Sequence, residues 1–410
     1  FISSDMEPED VRSMCCRLQL NNKELRKRGG IFAANPLTGC YDEKTEILTS
    51  RGWLHFPELE KKDEVYTLTE SNEIEIHQPK KLFKYDWKGD LYQFKAKSLD
   101  LLVTPNHRML IDTISHVRKF VEAQDFDVNN HRIPKKGKWI GEEQKWFKLP
   151  AISFTKYGRK GRTPYQVNRE EIKIKMNSWL AFLGIWLAEG SLDNDNIAKG
   201  HGYRVIISQK KPDSRKQIKV LLEKLPFNYR AIDNGFVICN KQLWTYLKQF
   251  GKCYEKFIPG EFKDLAKKQL KVLFDWLIKG DGHIRKTTGQ INYWTSSKRL
   301  ADDVQELIIK LGYTATIVSR KGRISYIRGR KIKSDRPIYN VGLLKSEHHR
   351  LRKRNVSKKF YKGKVYCCEV ENNTVLVRRN GRVAWCGNSI GVVTINMPRI
   401  GYRAKKESSS

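Results

Sequence analysis

Two acidic residues, Glu189 and Asp281, each end a segment with helical spacing, and each stands directly before a glycine. The segments WLAFLGIWLAEG (179–190) and LKVLFDWLIKGDG (270–282) repeat apolar residues at i, i+3, i+4 and i+7, which is typical of a buried helix. A carboxylate at a helix C-terminus is unfavourable because the helix dipole is already negative there. If the two helices lie side by side, the acids converge, and a cation offsets their repulsion. Hard oxygen ligands select Mg²⁺, and such a site can activate water for phosphodiester hydrolysis.

The acidic helices are the first elements of an internal repeat. The first is followed by the strand pattern YRVIIS (203–208) and a helical pattern over 214–225, and the second by INYWTS (291–296) and a helical pattern over 298–313. The offsets agree, because 281 − 189 = 92 and 291 − 203 = 88. Two copies of a unit that cannot close its own core are expected to pack about a pseudo-twofold axis.

The segments FLGIWLAEG and FDWLIKGDG resemble the two motifs of single-chain LAGLIDADG (DOD-type) homing endonucleases, which cut long sites in double-stranded DNA. The resemblance implies an αββαββα-type pseudo-twofold domain that acts as a monomer. It also implies that Glu189 and Asp281 bind the metal and that Gly184 packs the two helices together. Trp276 stands where the second helix would carry its glycine, and this departure is expected to change helix packing more than metal chemistry.

Three lysines are further candidates for the same site. Lys210 in ISQKK and Lys298 in TSSKR follow the two acids by 21 and 17 residues, and each can stabilise phosphate charge near a metal. Lys256 in EKFIP resembles the basic residue that the family carries before an Ile-Pro pair. Any one lysine taken alone is more often a solvated surface charge. For Glu189 and Asp281 the plainer alternative is an ordinary capped helix end. The acidic pattern occurs twice at matched offsets, and this repetition argues against that alternative.

A second group of reactive residues is spread over almost the whole chain. It consists of Cys40 after Gly39, Thr104 and His107 in VTPNH, and the pair Asn388-Ser389. Together these resemble intein splicing domains of the Hint type, which start with Cys or Ser, carry Thr-x-x-His, and end in Asn followed by Cys, Ser or Thr. The resemblance predicts an all-β domain. The β segments at the two ends of residues 40–388 are expected to form this one domain, because both scissile bonds must lie in one pocket.

The implied chemistry requires these residue types. Attack by the Cys40 thiol on the preceding carbonyl exchanges an amide for a thioester, so His107 and Thr104 are expected to protonate the leaving amine and hold the oxyanion. The Ser389 hydroxyl then attacks the thioester. Asn388 cyclises on its own carbonyl and releases the chain. No cofactor is expected for these steps.

Two positions depart from the family pattern or leave alternatives open. Gly387 stands where inteins often have histidine, so activation of Asn388 must come from elsewhere, such as water or another histidine. Cys367 in VYCCEV stands where many inteins carry Asp. It is predicted either to assist proton transfer or transesterification, or to be a buried strand cysteine.

The surrounding elements suggest an α+β multidomain chain. Residues 42–110 alternate in period two, and a polar stretch at 135–148 precedes the repeat. A basic linker is expected at 345–359, before short β runs. These features predict an N-terminal flank at 1–39, splicing segments at 40–150 and 346–388, the endonuclease at 151–345, and a C-terminal flank at 389–410.

The two flanks, joined as LTG-SIG after removal of residues 40–388, read through without a break. They are similar to anaerobic (class III) ribonucleoside-triphosphate reductase, in which Cys15 or Cys16 would form the thiyl radical. No reductase activity is expected from 61 flanking residues (39 + 22), so a plain reductase fragment is disfavoured. The absence of an initiator Met and the Ser-rich end indicate a piece of a longer protein.

The composition supports a polyanionic partner. Lys and Arg number 79 against 45 Asp and Glu, a formal charge of +34, and the basic residues lie between aromatic and β-rich segments. Nucleic acid fits best, and the resemblance to homing endonucleases implies double-stranded DNA. The alternative is a Lys-rich surface of the kind found in thermophiles. Apolar runs of about ten residues are too short to cross a bilayer. Eight cysteines without zinc-type spacing indicate thiols in a reducing cytoplasm.

Overall fold

The computed structural model describes residues 39–156, 163–193, 202–321 and 336–388, and the backbone of four short strands outside these ranges. Ser389 and the side chains of Cys15 and Cys16 lie outside the described residues.

The elements fall into three groups along the chain. The first group contains β1 (Ser13–Cys15), β2 (Leu18–Leu20), β3 (Tyr41–Asp42), β4 (Glu46–Thr49), β5 (Gly52–His55), β6 (Val65–Leu68), β7 (Glu73–His77), β8 (Lys81–Ala96), β9 (Leu99–Val103), β10 (Arg108–Thr113), β11 (Arg118–Glu122), β12 (His131–Pro134), β13 (Lys138–Trp139), β14 (Trp146–Leu149), β15 (Ile152–Lys156), β16 (Tyr165–Arg169) and β17 (Ile172–Lys175). The second contains α1 (Met176–Glu189), β18 (Gly190–Asp193), β19 (Arg204–Ser208), α2 (Pro212–Leu222), β20 (Tyr229–Ile232), β21 (Gly235–Cys239), α3 (Lys241–Leu247), α4 (Gly260–Lys263), α5 (Lys267–Asp281), β22 (Gly282–Ile284), β23 (Ile291–Thr295), α6 (Lys298–Lys310), β24 (Thr314–Arg320), β25 (Ile324–Ile327), β26 (Arg330–Lys333) and β27 (Ile338–Leu344). The third contains β28 (His348–His349), β29 (Val356–Glu369), β30 (Thr374–Arg379) and β31 (Arg382–Gly387).

Strands β3 to β13 of the first group interleave with the third group in one β-rich unit. Strand β3, which begins directly after Cys40, pairs with β29 and β9, and these strands close a barrel with β8. Strands β30 and β31 form a hairpin whose first strand pairs with β4. Because strands from the two ends of residues 40–388 alternate, neither half has complete sheets without the other.

The expected basic linker at 345–359 is wrong from Val356 onward, and the short strand β28 interrupts the rest of it. Strand β28 pairs with β12, and β29 already begins at Val356 and pairs with β8 along its whole length. Many of the lysines stand at alternate positions on the exposed face of that strand, and in sequence such a pattern looks like a solvated connection.

The second group contains the predicted repeat. Helix α1 is followed by strands β18 and β19, helix α2, and strands β20 and β21. Helix α5 is followed by β22 and β23, helix α6, and the strands β24 and β27. Helices α1 and α5 end at Glu189 and Asp281, as the sequence predicted, and the glycine after each closes the last turn in an extended conformation.

The repeat and the β-rich unit share a core. One sheet runs through both, since β24 of the second repeat pairs with β31 at Thr316 and Arg382. The polar stretch at 135–148 belongs to this contact, because the indole of Trp139 donates to the Leu265 carbonyl at 3.1 Å. No helix in the described ranges has the length and apolar character needed to cross a membrane.

Candidate active sites

Cys40 lies in the core of the β-rich unit with none of its surface exposed. Its backbone N–H donates to Thr104 Oγ1 at 2.9 Å, and its carbonyl accepts from the Thr104 N–H at 3.0 Å. The nitrogen of the Gly39–Cys40 bond is therefore held by one of the predicted side chains. Burial raises the pKa of the Cys40 thiol well above its usual value, and Cys367 raises it further. The thiol is protonated at neutral pH, so it needs a neighbouring base to become a nucleophile.

His107 supplies an imidazole beside the same bond. It ends a tight turn between β9 and β10, where its N–H donates to the Thr104 carbonyl at 3.0 Å. A Cβ on Gly39 would overlap the His107 Cα and lie 2.8 Å from Nδ1, so only glycine permits this contact. Burial lowers the pKa of His107 to about 3, and a hydrogen bond with the Gly39 backbone partly offsets this. A neutral imidazole can accept the thiol proton and return it to the leaving nitrogen.

Tyr41 connects the two ends of the β-rich unit. Its hydroxyl donates to the Gly387 carbonyl at 2.8 Å, and its ring meets the His107 ring edge-on with centroids 4.4 Å apart. One buried side chain therefore contacts both the histidine beside Cys40 and the backbone that leads into Asn388. Tyr41 was not among the residues predicted from the sequence, where the available signal was a large aromatic residue directly after the predicted nucleophile.

Asn388 is buried and held by the turn that joins β29 to β30. Its N–H donates to the Asn373 carbonyl at 3.1 Å, and its Nδ2 donates to the Val370 carbonyl at 3.2 Å. Its Oδ1 is buried and has no hydrogen-bond partner within the described ranges. The side-chain nitrogen that cyclisation requires is thus oriented by backbone contacts.

The glycine at position 387 has a steric reason. A Cβ on Gly387 would lie 2.5 Å from the Arg108 carbonyl oxygen, so the position has no room for the histidine often found in inteins. The Tyr41 side chain donates to the Gly387 carbonyl, and the Asn388 side-chain amide donates to the Val370 carbonyl.

Cys367 lies on β29 beside this pocket and is 2% exposed. Burial raises the pKa of Cys386 to about 12, a hydrogen bond with Tyr41 opposes this rise, and the neighbouring Cys367 adds to it. Cys367 also raises the pKa of Cys40. The described cysteines form no disulfide. Both roles predicted for Cys367, proton transfer and strand packing, stay predictions.

A buried ion-pair network fixes the strands that flank the pocket. Arg379 on β30 contacts Asp42 on β3 at 3.0 Å and Asp100 on β9 at 3.0 Å. The two acids and the guanidinium are almost fully buried. Charge-assisted bonds of this kind tie the start of the unit to its end.

The second site lies where α1 and α5 end together. Burial raises the pKa of Asp281 to about 7, the charge on Glu189 raises it further, and Lys256 opposes both effects. Burial also raises the pKa of Glu189, opposed by Lys211, by Lys256 and by a 3.4 Å hydrogen bond from Gln209. The predicted convergence of the acids is confirmed, and their catalytic role stays a prediction.

Small residues bring the two helices close together. A Cβ on Gly184 would lie 2.8 Å from the Leu273 carbonyl and 2.9 Å from the Trp276 Cβ, so this glycine packs against the second helix as predicted. On the second helix the close approach is at Gly280, where a Cβ would overlap the Ala188 Cβ. Trp276 lies one turn earlier, and Gly184 leaves room for it.

Lys256 is buried and stabilises the end of α1. Its Nζ donates to the carbonyls of Trp186 at 2.9 Å, Leu187 at 3.0 Å and Gly190 at 2.7 Å. Burial lowers the pKa of Lys256 to about 8, and the nearby acids partly offset this. The ammonium thus neutralises the negative end of the helix dipole beside the two carboxylates.

The other two predicted lysines are on the surface. Lys210 is exposed, and its N–H donates to the Gln209 side chain. Lys298 pairs with Asp302 at 2.6 Å in the next turn of α6. Their predicted contacts with phosphate stay predictions.

The structure adds two residues that the sequence analysis missed. Gln209 is buried, accepts backbone N–H groups of Lys210 and Lys211, and presents its Nε2 to Glu189. Tyr293 is fully buried near both acids, whose charges add to the effect of burial in raising its pKa. Its hydroxyl has no hydrogen-bond partner in the part of the chain that the structure describes.

The acid pair fits a hard divalent cation. Two carboxylates that repel each other at helix ends match the oxygen ligands that Mg²⁺ prefers, and Mg²⁺ usually keeps several waters or substrate oxygens. Across the described ranges, no cluster of three or more His, Cys, Asp or Glu residues is arranged to hold a metal. A cation here would therefore take its remaining ligands from water or from a bound phosphate.

Comparison with known proteins gives one family match, a LAGLIDADG-like domain over residues 273–362. The chain is 31% identical to an ATP-dependent Clp protease proteolytic subunit from Chlamydomonas moewusii, over 68% of this chain and 28% of that protein. It is 29% identical to a DNA-directed RNA polymerase subunit beta C-terminal section from Stigeoclonium helveticum, over 85% and 36%. It is 25% identical to a ribonucleoside-diphosphate reductase subunit beta from Aquifex aeolicus, over 85% and 50%. The chain thus spans between about a quarter and a half of each relative's length.

Two solved structures show weak overall similarity. The endonuclease I-DmoI, in complex with DNA and Mn, is 16% identical with a TM-score of 0.27, over 41% of this chain and 90% of that one. A DnaB intein from Synechocystis is 13% identical with a TM-score of 0.20, over 34% and 86%. The family match places a LAGLIDADG-like domain in this chain.

Proposed function

We propose that residues 40–388 form an intein that excises itself and joins its flanks, and that the inserted repeat cuts double-stranded DNA as a homing endonuclease. The proposal assigns splicing to the β-rich unit and phosphodiester hydrolysis to the paired acidic helices. The contact between Tyr41 and the Gly387 carbonyl carries the splicing part, because it brings residues 346 positions apart into one pocket.

The first splicing steps use groups that already lie around the Gly39–Cys40 bond. The Cys40 sulfur attacks the Gly39 carbonyl carbon, His107 accepts the thiol proton, and the same proton passes to the Cys40 nitrogen as the amide bond breaks. The product is a thioester. The Ser389 hydroxyl then attacks this thioester, and the Cys40 thiol leaves.

The last steps release the element. Asn388 Nδ2 attacks its own carbonyl carbon, the bond to the Ser389 nitrogen breaks, and the departing amine takes the proton. An oxygen-to-nitrogen shift then gives an ordinary peptide bond between Gly39 and Ser389. Burial of the pocket supports this sequence, since water that would hydrolyse the thioester is kept away.

For DNA cleavage, Glu189 and Asp281 would hold Mg²⁺, which supplies an activated water and stabilises the leaving oxygen. Gln209 orients Glu189 through its amide. Lys256 neutralises the helix end behind the acids. The two-copy arrangement suits the two strands of a duplex, and a single chain supplies both halves.

The relatives support a mobile element. The matched region covers most of this chain but no more than half of each relative. Those relatives are a protease subunit, an RNA polymerase subunit and a reductase subunit. A segment shared by proteins with such different activities does not itself carry out any of those activities. We further propose that the flanks here come from an anaerobic ribonucleoside-triphosphate reductase and that the protein acts in the cytoplasm.

The first step of splicing is tested by a thiol trap. The chain with Asn388→Ala is incubated with a small soluble thiol, and residues 1–39 should appear as a thioester of that thiol. Cys40→Ala is the matched control and should release nothing. Equal release from both variants would contradict the assignment of Cys40.

DNA cleavage is tested with duplex DNA that spans the uninterrupted LTG-SIG coding junction. Titration with Mg²⁺ should give double-strand cuts that Asp281→Asn abolishes. Binding without cuts at every Mg²⁺ concentration would favour the second candidate, a splicing-competent DNA-binding intein with an inactive endonuclease.

A further inference from the structure

The ribbon formed by β8 and β29 carries a dense positive charge outside both candidate sites. Residues 350–364, which lead into β29 and form its first nine residues, contain eight Lys or Arg and no Asp or Glu. All eight side chains are exposed. Neither proposed reaction uses any of them.

The strand register collects much of this charge on one face. Lys362 lies directly opposite Lys88, and Lys358, Lys364 and Lys84 lie on the same side because side chains alternate along each strand. Like charges directly opposite each other destabilise a strand pair. Asp86 and Asp90 lie on the same face of β8, opposite Lys364 and Phe360, and Asp86 contacts Lys364 at 3.3 Å. The five lysines outnumber these two acids, so the face keeps a net positive charge that an anionic partner would offset.

Aromatic side chains stand between the lysines of this face. Phe360, which is 62% exposed, lies between Lys358 and Lys362 on β29. Tyr92 is the cross-strand partner of Lys358, whose Nζ lies 5.5 Å from the ring centroid. Exposed aromatic groups interleaved with cations are typical of nucleic-acid-binding surfaces.

We infer that this ribbon face, defined by Lys84, Lys88, Lys358, Lys362 and Lys364, binds the phosphate backbone of duplex DNA. The inference rests on the proposed function for its choice of duplex DNA. The seven residues 358–364 extend about 23 Å, at roughly 3.3 Å per residue. This length matches about seven base pairs at 3.4 Å each. Because the ribbon lies within 40–388, the excised protein would keep this surface.

The test uses the full chain with Cys40→Ala and Asn388→Ala, so that it stays intact. The ribbon variant adds Lys88→Gln, Lys358→Gln and Lys362→Gln. Its matched control changes three exposed lysines elsewhere in the β-rich unit, Lys61, Lys62 and Lys119, to Gln. Binding to a duplex that contains the LTG-SIG coding junction is measured without divalent cations over a range of salt concentrations.

The ribbon variant should bind on the order of a hundredfold more weakly near physiological salt, because each lost phosphate contact lowers the salt slope by about 0.9. Three contacts therefore lower the slope by about 2.7. The protected DNA should shorten by about seven base pairs in a footprint. If the ribbon variant has the same affinity, salt slope and footprint as the matched control, the inference is overturned. The endonuclease proposal stays intact in that case as long as the parent chain binds the duplex. If the parent chain itself fails to bind the duplex, the proposed DNA cleavage fails instead.

RNA is the competing partner. The same proteins are compared on a single-stranded RNA and on the duplex. A larger effect of the ribbon substitutions on RNA binding than on duplex binding would overturn the assignment to DNA.

Discussion

The contact between Tyr41 and the Gly387 carbonyl should control release at the C-terminal junction. Tyr41→Phe removes one buried hydroxyl and leaves the ring against His107 in place. The Gly387 carbonyl then loses its side-chain donor, which costs about 1–3 kcal/mol for a buried acceptor. If the whole loss falls on the transition state, cyclisation of Asn388 slows by about 5- to 150-fold, at 1.36 kcal/mol per tenfold.

The two junctions are assayed separately. Release of residues 389–410 is followed in a Cys40→Ala background, where only Asn388 cyclisation can cut the chain. Thiol-induced release of residues 1–39 is followed in an Asn388→Ala background. Tyr41→Phe should slow the first reaction and affect the second by a smaller factor.

Tyr66→Phe is the matched control, because Tyr66 is also buried and its hydroxyl donates to Glu306 at 3.1 Å, away from the pocket. It tests the effect of losing any buried phenol hydrogen bond. The role of Tyr41 at the C-terminal junction is refuted if Tyr41→Phe slows neither junction, slows both equally, or has the same effect as Tyr66→Phe.

Four further predictions follow from the buried histidine, the helix contact and a buried ion pair. The pKa of His107 is about 3 and the pKa of the Cys40 thiol is well above its usual value, so both groups are neutral near pH 7. The initial rate of thioester formation should therefore be flat from pH 5 to 8, and a fall centred near pH 6.5 would contradict this. The same depressed pKa means that the unfolded chain binds more protons, so urea titrations should show stability falling as pH drops from 6.5 towards 3. Gly280→Leu should push α5 away from α1 at a cost of about 1–3 kcal/mol and abolish Mg²⁺-dependent cutting while splicing persists. Arg378→Met should cost about 3 kcal/mol in thermal unfolding, since Glu46 and Asp302 both lose their buried partner; an unchanged melting temperature would count against that network.

The residues at both sites were predictable because chemistry restricts their types and spacing. The acids at 189 and 281 each end an apolar helical pattern before glycine, and the matched offsets placed them together. Gly184 was also predictable, because the resemblance assigned it to the helix contact. The compensating glycine at 280 was missed, since its contact depends on how two helices cross and not on periodicity.

The contacts between distant segments were not predictable. Tyr41 reads as an ordinary core residue until β3 and β31 are placed, and the contact of Gly387 with Arg108 depends on that same packing. The prediction of a linker at the β8–β29 ribbon was wrong for a different reason. Exposed lysines carry no apolar alternation, so the outer part of β29 looked like a linker although the partner strand β8 fixes it by register.

Mass spectrometry of the chain, incubated under reducing conditions, tests the shared pocket most directly. The account predicts two products: the 349 residues from 40 to 388, and a 61-residue peptide in which Gly39 is bonded to Ser389. Both should disappear in Cys40→Ala. An unchanged 410-residue mass after prolonged incubation, or separate flanks with no ligated peptide, would contradict the claim that one pocket serves both ends.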